Sequence, residues 1–326
     1  MCKKRFTIDY KGQSILLAMF LIPVAYAVSY FLLTYYVGGD QVHYQRFYDA
    51  LYGAGFAEML VLARGHLSSK EPLSALVFWA GSNLSIEKNV YISILNVLLV
   101  SGIFLLARKY RVNSLMILLL LTNFYVIVLM TGAERLKIAF IFLVFAALFV
   151  GKTRVALSAL SPFAHLQSLV LLPSVILASF EHFIRRAIIS QRMNKRTVGF
   201  LLFVAVLGLL VVVQLFDGIM QKAAAYAAQD VALTELTNVV ILSAIALYVT
   251  ANRFRMFLIL APMYPAIAVL GGMRVNMIAV VLVVYYLMTE KCLHHPLIYA
   301  LMVYFTLKSI MFVQNIYMYG DGFYGI

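Results

Sequence analysis

Cysteine and charged residues are scarce in this chain of 326 residues. Cys2 and Cys292 are its only two cysteines, and both lie near basic segments, so neither a disulfide framework nor a cysteine metal site is indicated. Charged residues make up 12% of the chain and form no long hydrophilic stretch, which leaves no room for a separate soluble domain. The sequence also lacks Walker, Rossmann, GxSxG and CxxC patterns.

Apolar residues dominate what is present. They make up 64% of the chain, and the mean hydropathy is +0.94, well above the values of soluble domains. Apolar runs long enough to cross a bilayer recur from residue 14 to residue 313. The sequence therefore predicts an all-α polytopic membrane protein, with residues 1–326 forming a single integral-membrane domain.

About nine full transmembrane spans are predicted from these runs. They are residues 14–36, 89–107, 113–131, 135–150, 197–216, 237–251, 256–270, 275–289 and 296–313. Residues 72–84 are too short for an ordinary span and are predicted to be re-entrant. Residues 154–180 are predicted to form a helical hairpin, because Pro162 interrupts them and basic residues flank both ends.

The distribution of basic residues predicts the orientation. The net charge is +13, but the Lys and Arg residues form short clusters between apolar runs, which does not favour nucleic-acid binding. A cytoplasmic N-terminus places 17 of the 26 Lys and Arg residues on the cytoplasmic side. The polar residues predicted on the opposite, extracytoplasmic side include Asp40, Arg135, His165, Arg274 and the loops 37–71 and 217–236.

Two arginines are candidates for binding an anion. Arg135 and Arg274 each follow a glycine by two or three residues and begin a predicted helix at the outer face. A helix N-terminus and a guanidinium group both favour phosphate oxygens, so the pair is predicted to bind a diphosphate. Alternatively, each arginine anchors a helix end or pairs with an acid such as Glu134.

His165 is the candidate general base. It lies at the centre of the predicted hairpin, and a histidine can accept a proton from a hydroxyl at neutral pH. The alternative is a hydrogen-bonded structural histidine. His294 and His295 are predicted on the cytoplasmic side, and no acid or second histidine stands at metal-ligand spacing, so no metal site is predicted.

The segment "GGDQVHYQRFYDAL" (38–51) combines aromatic and polar residues directly after the first span. Helical spacing places Asp40, Tyr44 and Tyr48 on one face, with His43 and Phe47 beside them. Aromatic rings among hydrogen-bonding groups suit a sugar. The alternative is an interfacial helix whose rings form an aromatic belt, although such a belt does not require Asp40.

The order of four segments resembles the EpsG/Wzy-type polysaccharide polymerases. These segments are "GGDQVHYQRFYDAL", "EPLSALVF", "GAERLKIAFIFLVFAAL" and "SPFAHLQSLVLLPSVIL". The residues that match the family pattern are Asp40, Tyr44, Arg135, Ala139, His165, Ser168 and Pro173. The resemblance covers residues 35–180 and extends to Arg274.

This resemblance implies a bacterial inner-membrane glycosyltransferase with an architecture related to that of the O-antigen ligases. Its expected donor and acceptor are undecaprenyl-diphosphate-linked oligosaccharides within the membrane lipid, and a separate protein that regulates chain length is an expected partner. No cofactor is expected. His165 is expected to act as the base, with Asp40 as the second candidate, while Arg135 and Arg274 stabilise the leaving diphosphate. The residues expected to hold sugar are His43, Tyr44, Tyr48 and the loop 217–236.

Three other functions remain open at this point. One is a ligase that transfers finished polymer to another lipid or to protein. Another is a glycosyltransferase that uses a lipid monophosphate sugar, with Asp40 as the base and Asp49 as its acidic partner. The third is a flippase or transporter of lipid-linked sugars, although the sequence shows no convincing internal repeat.

Overall fold

The computed structural model describes residues 11–182, 184–185, 199, 231–270 and 272–324. Regular secondary structure within these ranges is helical throughout, which confirms the predicted all-α class. The helices up to the middle of the chain are α1 (Lys11–Tyr35), α2 (Asp40–Ala50), α3 (Phe56–Leu67), α4 (Pro72–Asn83), α5 (Lys88–Lys109), α6 (Ser114–Leu121), α7 (Phe124–Thr131), α8 (Glu134–Leu148) and α9 (Gly151–Ala164). A 3₁₀ turn (Leu166–Val170) then precedes α10 (Leu171–Ser179), α11 (Val231–Val249), α12 (Arg253–Leu260), α13 (Met263–Leu270), α14 (Gly272–Thr289) and α15 (Pro296–Tyr319).

The described residues fall into two compact units. The first unit comprises residues 11–168 and 298–324, and the second comprises the described part of 169–297. In the first unit, α8 packs against α5 and α9, and α5 also packs against α1. In the second unit, α14 packs against α11 and α13, and α10 packs against α12. Glu71, Arg135 and His165, which form the polar cluster described below, all belong to the first unit.

Three described helices are long and apolar enough to cross a membrane, namely α5, α14 and α15. Two bent pairs raise the number to five if each pair is one span. These pairs are α1 with α2, bent by 98°, and α6 with α7, bent by 47°. The described residues thus support a polytopic helical membrane protein, but the prediction of nine full spans is wrong.

Local helix breaks explain most of this difference. The predicted span 113–131 is divided at Asn123, whose side chain caps α7 by accepting a hydrogen bond from the backbone N–H of Tyr125. The predicted span 256–270 is likewise divided between α12 and α13, and 135–150 forms α8, which is only 15 residues long. A helix of that length extends about 22 Å, which is less than the hydrocarbon thickness of a bilayer. The predicted span 197–216 lies outside the described residues.

The predicted hairpin segment 154–180 contains α9, the 3₁₀ turn and α10. Pro162 was expected to interrupt the helix, but it lies inside α9, which ends two residues later at Ala164. The break falls instead at His165, whose backbone is extended (φ −155°, ψ 117°). Within 37–71, predicted as one outer loop, the chain forms α2 and α3, and 72–84 forms the short helix α4.

The corner between α1 and α2 is held by the C-terminal segment of the first unit. The backbone N–H groups of Val37 and Gly38 both donate to the carbonyl oxygen of Gly320, at 3.0 and 2.7 Å. Gly39 turns the chain into α2 with a positive φ of 52°, a conformation that favours glycine. Tyr36 donates a hydrogen bond to the Asp321 carboxylate at 3.3 Å, which adds a side-chain link to the corner.

An aromatic cluster fixes α2 against α4. The helical spacing of α2 directs Tyr44, Phe47 and Tyr48 toward the interior, where all three rings contact Phe78. The rings of Tyr44 and Phe78 stack with centroids 5.7 Å apart, and the other two meet Phe78 at steep angles. The next residue, Trp79, ties α4 to the α2–α3 turn by donating its indole N–H to Ala54 O at 2.7 Å.

Replacing Phe78 with alanine should lower the free energy of unfolding by about 3–5 kcal/mol, because the ring is fully buried and leaves a cavity. Trp79 is the only tryptophan of the chain, so its fluorescence during thermal unfolding in detergent measures this effect. Phe56→Ala, which removes an exposed ring of α3, serves as the control. Equal transition temperatures for the two variants would contradict the proposed importance of the aromatic cluster.

Candidate functional site

A single carboxylate, that of Glu71, organises the polar centre of the first unit. Glu71 immediately precedes Pro72, which occupies the first turn of α4. A proline at this position is compatible with a helix start, and it favours an extended conformation in the preceding residue. Glu71 has φ −92° and ψ 101° accordingly, and it stands outside the helix as its N-cap residue.

Four donors converge on this carboxylate. Oε1 accepts hydrogen bonds from His165 Nδ1 at 2.8 Å and from the backbone N–H of Leu166 at 2.9 Å. Oε2 accepts from Arg135 Nη1 at 2.7 Å and from Ser69 Oγ at 2.8 Å. The Glu71 side chain thereby joins α8 to the end of α9 and fixes the position of both candidate residues.

Arg135 is the second residue of α8, as its sequence position predicted. Besides the ion pair with Glu71, its guanidinium group donates a hydrogen bond to the hydroxyl of Tyr44. Its Nε is buried and has no hydrogen-bond partner among the described residues. Arg135 therefore pairs with an acid, as the alternative interpretation predicted, but that acid is Glu71 and not Glu134, which forms an ion pair with Lys137 at 2.5 Å.

The imidazole ring of His165 is held on both sides. Nδ1 donates to Glu71, and Nε2 donates to Oε1 of Gln167 on the adjoining 3₁₀ turn at 2.9 Å, because an amide oxygen can only accept. The carboxylate therefore orients the ring, and Nε2 is the ring atom that is left to exchange a proton with a ligand. Nearby in the chain, the hydroxyl oxygens of Ser161 and Ser168 are buried without a partner among the described residues.

The electrostatics of Glu71 follow from these contacts. Burial by itself raises the pKa of Glu71, but the hydrogen bond and charge of His165, the charge of Arg135 and the Leu166 N–H favour the ionised form. Together they lower the pKa of Glu71 from its ordinary value of 4.5 to about 2. Glu71 is thus a carboxylate at any physiological pH.

A second polar network begins beside this one. Gln41 donates to Glu134 Oε1 at 2.9 Å and also to the carbonyl oxygen of Thr131. The side-chain oxygen of Gln41 accepts a hydrogen bond from Lys88 Nζ at 2.8 Å. Lys137 completes the network through its ion pair with Glu134. Sequence reasoning missed this network, although three charged residues within or next to apolar segments were a usable signal.

The predicted residues of α2 are distributed over both of its faces. Tyr44 and Tyr48 share the buried face, where Tyr48 donates to Ile86 O at 2.9 Å. Their rings are packed in the core and present no open face, so the described arrangement does not favour the predicted stacking on sugar. Asp40 and His43 are exposed, Asp40 at the start of the helix.

Asp49, the predicted acidic partner of Asp40, lies nine positions further along α2. Nine residues of α helix span about 13.5 Å, so the two carboxylates do not form a pair. The carboxylate of Asp49 instead accepts a hydrogen bond from Gln45 at 2.9 Å.

Arg274 occupies the first turn of α14 in the second unit, as its sequence position predicted. Its joint action with Arg135 stays a prediction.

Residues 217–230 of the predicted sugar-binding loop lie outside the described residues, and α11 begins at Val231. Within the described ranges, no three His, Cys, Asp or Glu side chains are grouped so that they could hold a metal ion.

Sequence reasoning also missed the central role of Glu71. The segment "EPLSALVF" contributes to the resemblance, but its pattern alone predicts no function for its acid. The available signal was an acidic residue directly before a proline at the start of an apolar helix. Gln167 was missed because its contact with His165 depends on the 3₁₀ turn.

The fold and the site together define a polytopic helical membrane protein with a partly buried Glu–His–Arg cluster. Comparison of the chain with protein-family models, with curated proteins and with solved structures found no match.

The ion pairs of Glu71 predict a pH dependence. Because the pKa of this carboxyl is lower in the folded protein than in the unfolded chain, its contribution to stability is present above about pH 4.5 and is lost as the pH falls toward about 2. Wild type should therefore have a higher transition temperature than Glu71→Gln at neutral pH. This difference should shrink as the pH falls from about 4.5 toward about 2.

The variant Glu58→Gln, which neutralises an exposed carboxylate of α3, is the matched control. It should follow the wild-type curve at every pH. A Glu71→Gln protein that is as stable as wild type at pH 7 would contradict the assigned role of the carboxylate.

Proposed function

We propose that this protein is a membrane glycosyltransferase that polymerises lipid-linked saccharide units, with the Glu71–His165–Arg135 cluster as part of its active site. Its substrates are undecaprenyl-diphosphate-linked oligosaccharides, and its place is the bacterial inner membrane with the site on the extracytoplasmic side. The architecture related to the O-antigen ligases belongs to the same proposal. The basic-residue distribution and the resemblance to EpsG/Wzy-type polymerases support it.

The observation that carries the proposal is the orientation of His165 by Glu71. A carboxylate that accepts from Nδ1 keeps a proton on that nitrogen, so Nε2 is the ring atom that can release and accept a proton, and it stabilises the imidazolium that forms on protonation. Arg135 on the same carboxylate brings a permanent positive charge to the cluster. Such a group of side chains suits the activation of a hydroxyl beside an anionic leaving group.

The reaction balances with these groups alone. Once Nε2 has released the proton that it donates to Gln167, a hydroxyl of the acceptor saccharide takes the place of the Gln167 amide and transfers its proton to His165 Nε2. The acceptor oxygen forms a bond to the anomeric carbon of the donor, and the bond from that carbon to the diphosphate oxygen breaks. The electron pair leaves with the diphosphate, whose charge Arg135 stabilises, with Arg274 as the second predicted cation.

Unpartnered polar atoms are consistent with a polar ligand in this region. Buried polar groups usually have hydrogen-bond partners. Arg135 Nε, Ser161 Oγ and Ser168 Oγ are buried and have no partner among the described residues, so a bound polar ligand would supply one. Saccharide hydroxyls and phosphate oxygens both offer suitable acceptors for Arg135, and hydroxyls also pair with serine.

The test is polymer formation by the purified protein in nanodiscs supplied with lipid-linked repeat units, followed by chain length on gels. Loss of the base in His165→Ala should lower the rate by about 10²–10⁴-fold. Arg135→Ala and Arg274→Ala should lower it by about 10²–10³-fold and leave single repeat units at normal protein abundance.

The control variants are His182→Ala and Arg64→Ala, which remove exposed side chains of the same types. Both should retain wild-type chain length. Polymer of wild-type length from both Arg135→Ala and Arg274→Ala would eliminate the diphosphate role. Full activity of His165→Ala at neutral pH would transfer the base role to Asp40.

A further inference from the structure

The buried network beside the candidate site carries an excess positive charge. Glu134 and Lys137 are 1% and 0% exposed and neutralise each other, whereas Lys88 is 6% exposed and donates to a neutral amide, that of Gln41. An ammonium group has three hydrogens to donate, and this amide is the one acceptor recorded for Lys88 among the described contacts. A buried cation without an anionic partner at hydrogen-bonding distance is costly, so its presence at the start of an apolar helix calls for a ligand.

Lys88 lies in the wall of a cleft of about 280 Å³ formed by α1, α2 and α5. The amide groups of Gln41 and Asn89 and the guanidinium group of Arg46 share this wall. Oδ1 of Asn89 is buried without a partner among the described residues. None of the described residues that line the cleft is acidic, so its two charged groups are both cations.

The apolar part of the cleft belongs to the region around the end of α1. Leu33 and the exposed Val37 line it there. Further along α1, Phe31, Val28 and Val24 are large apolar side chains that are likewise exposed, as on a helix that faces lipid. The cleft thus combines a cationic, hydrogen-bonding wall with an apolar border.

We propose that this cleft binds the phosphate headgroup of a membrane amphiphile. Lys88 and Arg46 supply charge-assisted hydrogen bonds to the phosphate oxygens, while the Asn89 amide oxygen accepts from a protonated phosphate oxygen or a neighbouring hydroxyl. The apolar chain of the ligand lies along α1. This inference concerns residues outside the Glu71–His165–Arg135 cluster and does not depend on glycosyl transfer.

Among the described residues no acid forms an ion pair with Lys88, although the charges of Glu134 and Asp49 act on it and that of Asp321 acts on Tyr36 at the edge of the cleft. The carboxylate of Asp49 accepts from Gln45, and Glu87 accepts a long hydrogen bond of 3.5 Å from Tyr30. Glu134 is shared between Lys137 and Gln41. A phosphate therefore supplies the anionic partner that Lys88 lacks in its immediate contacts.

The experiment places the full-length protein in phosphatidylcholine nanodiscs that contain increasing fractions of phosphatidic acid. Retained phosphatidic acid is counted by native mass spectrometry, and inorganic phosphate is titrated separately in nanodiscs of phosphatidylcholine alone. Wild type should retain phosphatidic acid selectively. Lys88→Met should weaken its apparent affinity by about tenfold, the loss of one charge-assisted contact.

Three further variants make the result independent of a folding defect in Lys88→Met. Thr34→Phe changes an exposed residue of the cleft, adds bulk without altering charge, and should also weaken retention about tenfold. Lys152→Met removes an exposed lysine of α9 and should leave retention unchanged. If Lys88→Met does not fold, Thr34→Phe and Arg46→Gln decide the outcome.

Retention equal to wild type in Lys88→Met and Thr34→Phe overturns the proposal, as does the absence of selective retention in wild type. If inorganic phosphate stabilises the protein but phosphatidic acid is not retained, the lipid assignment is overturned, and the ligand of the cleft is free phosphate. Because none of these readouts measures polymer, loss of polymerase activity and loss of lipid binding are distinguished.

Discussion

The Glu71 carboxylate is the constraint on which the centre of the first unit depends. It accepts four hydrogen bonds, and its donors come from α8, from the segment that follows α9, and from its own turn. An ion pair at this depth is not simply stabilising, because desolvation of both charges offsets much of their attraction. Its main effect is geometric: Arg135 and His165 occupy fixed positions although one lies at a helix start and the other at a helix end.

The second polar network, formed by Gln41, Lys88, Glu134 and Lys137, differs from the Glu71 cluster in its charge balance. Arg135 neutralises Glu71, and Lys137 neutralises Glu134, whereas Lys88 has only an amide as its immediate acceptor. Both clusters adjoin the first turn of α8, through Glu134 in one case and Arg135 in the other. The surroundings of this turn are therefore electropositive, and anionic headgroups are the natural ligands of such a region in a bilayer.

Composition and periodicity predicted the helical membrane class and the helix starts at Arg135 and Arg274. They did not predict the number of spans, because uniform hydropathy cannot show that Asn123 caps a new helix inside an apolar run. Glu71 was missed for a related reason. It lies 64 residues from Arg135 and 94 from His165 in the chain, and such long-range pairing leaves no periodic pattern in one sequence.

The corner that precedes α2 has a consequence for biosynthesis. Its two backbone N–H groups come from residues 37 and 38, whereas their acceptor is the carbonyl of Gly320. During synthesis the first helices leave the ribosome long before Gly320 has been made, so these two hydrogen bonds form only after the intervening helices have been synthesised. The turn into the aromatic helix therefore acquires its backbone acceptor late in biosynthesis.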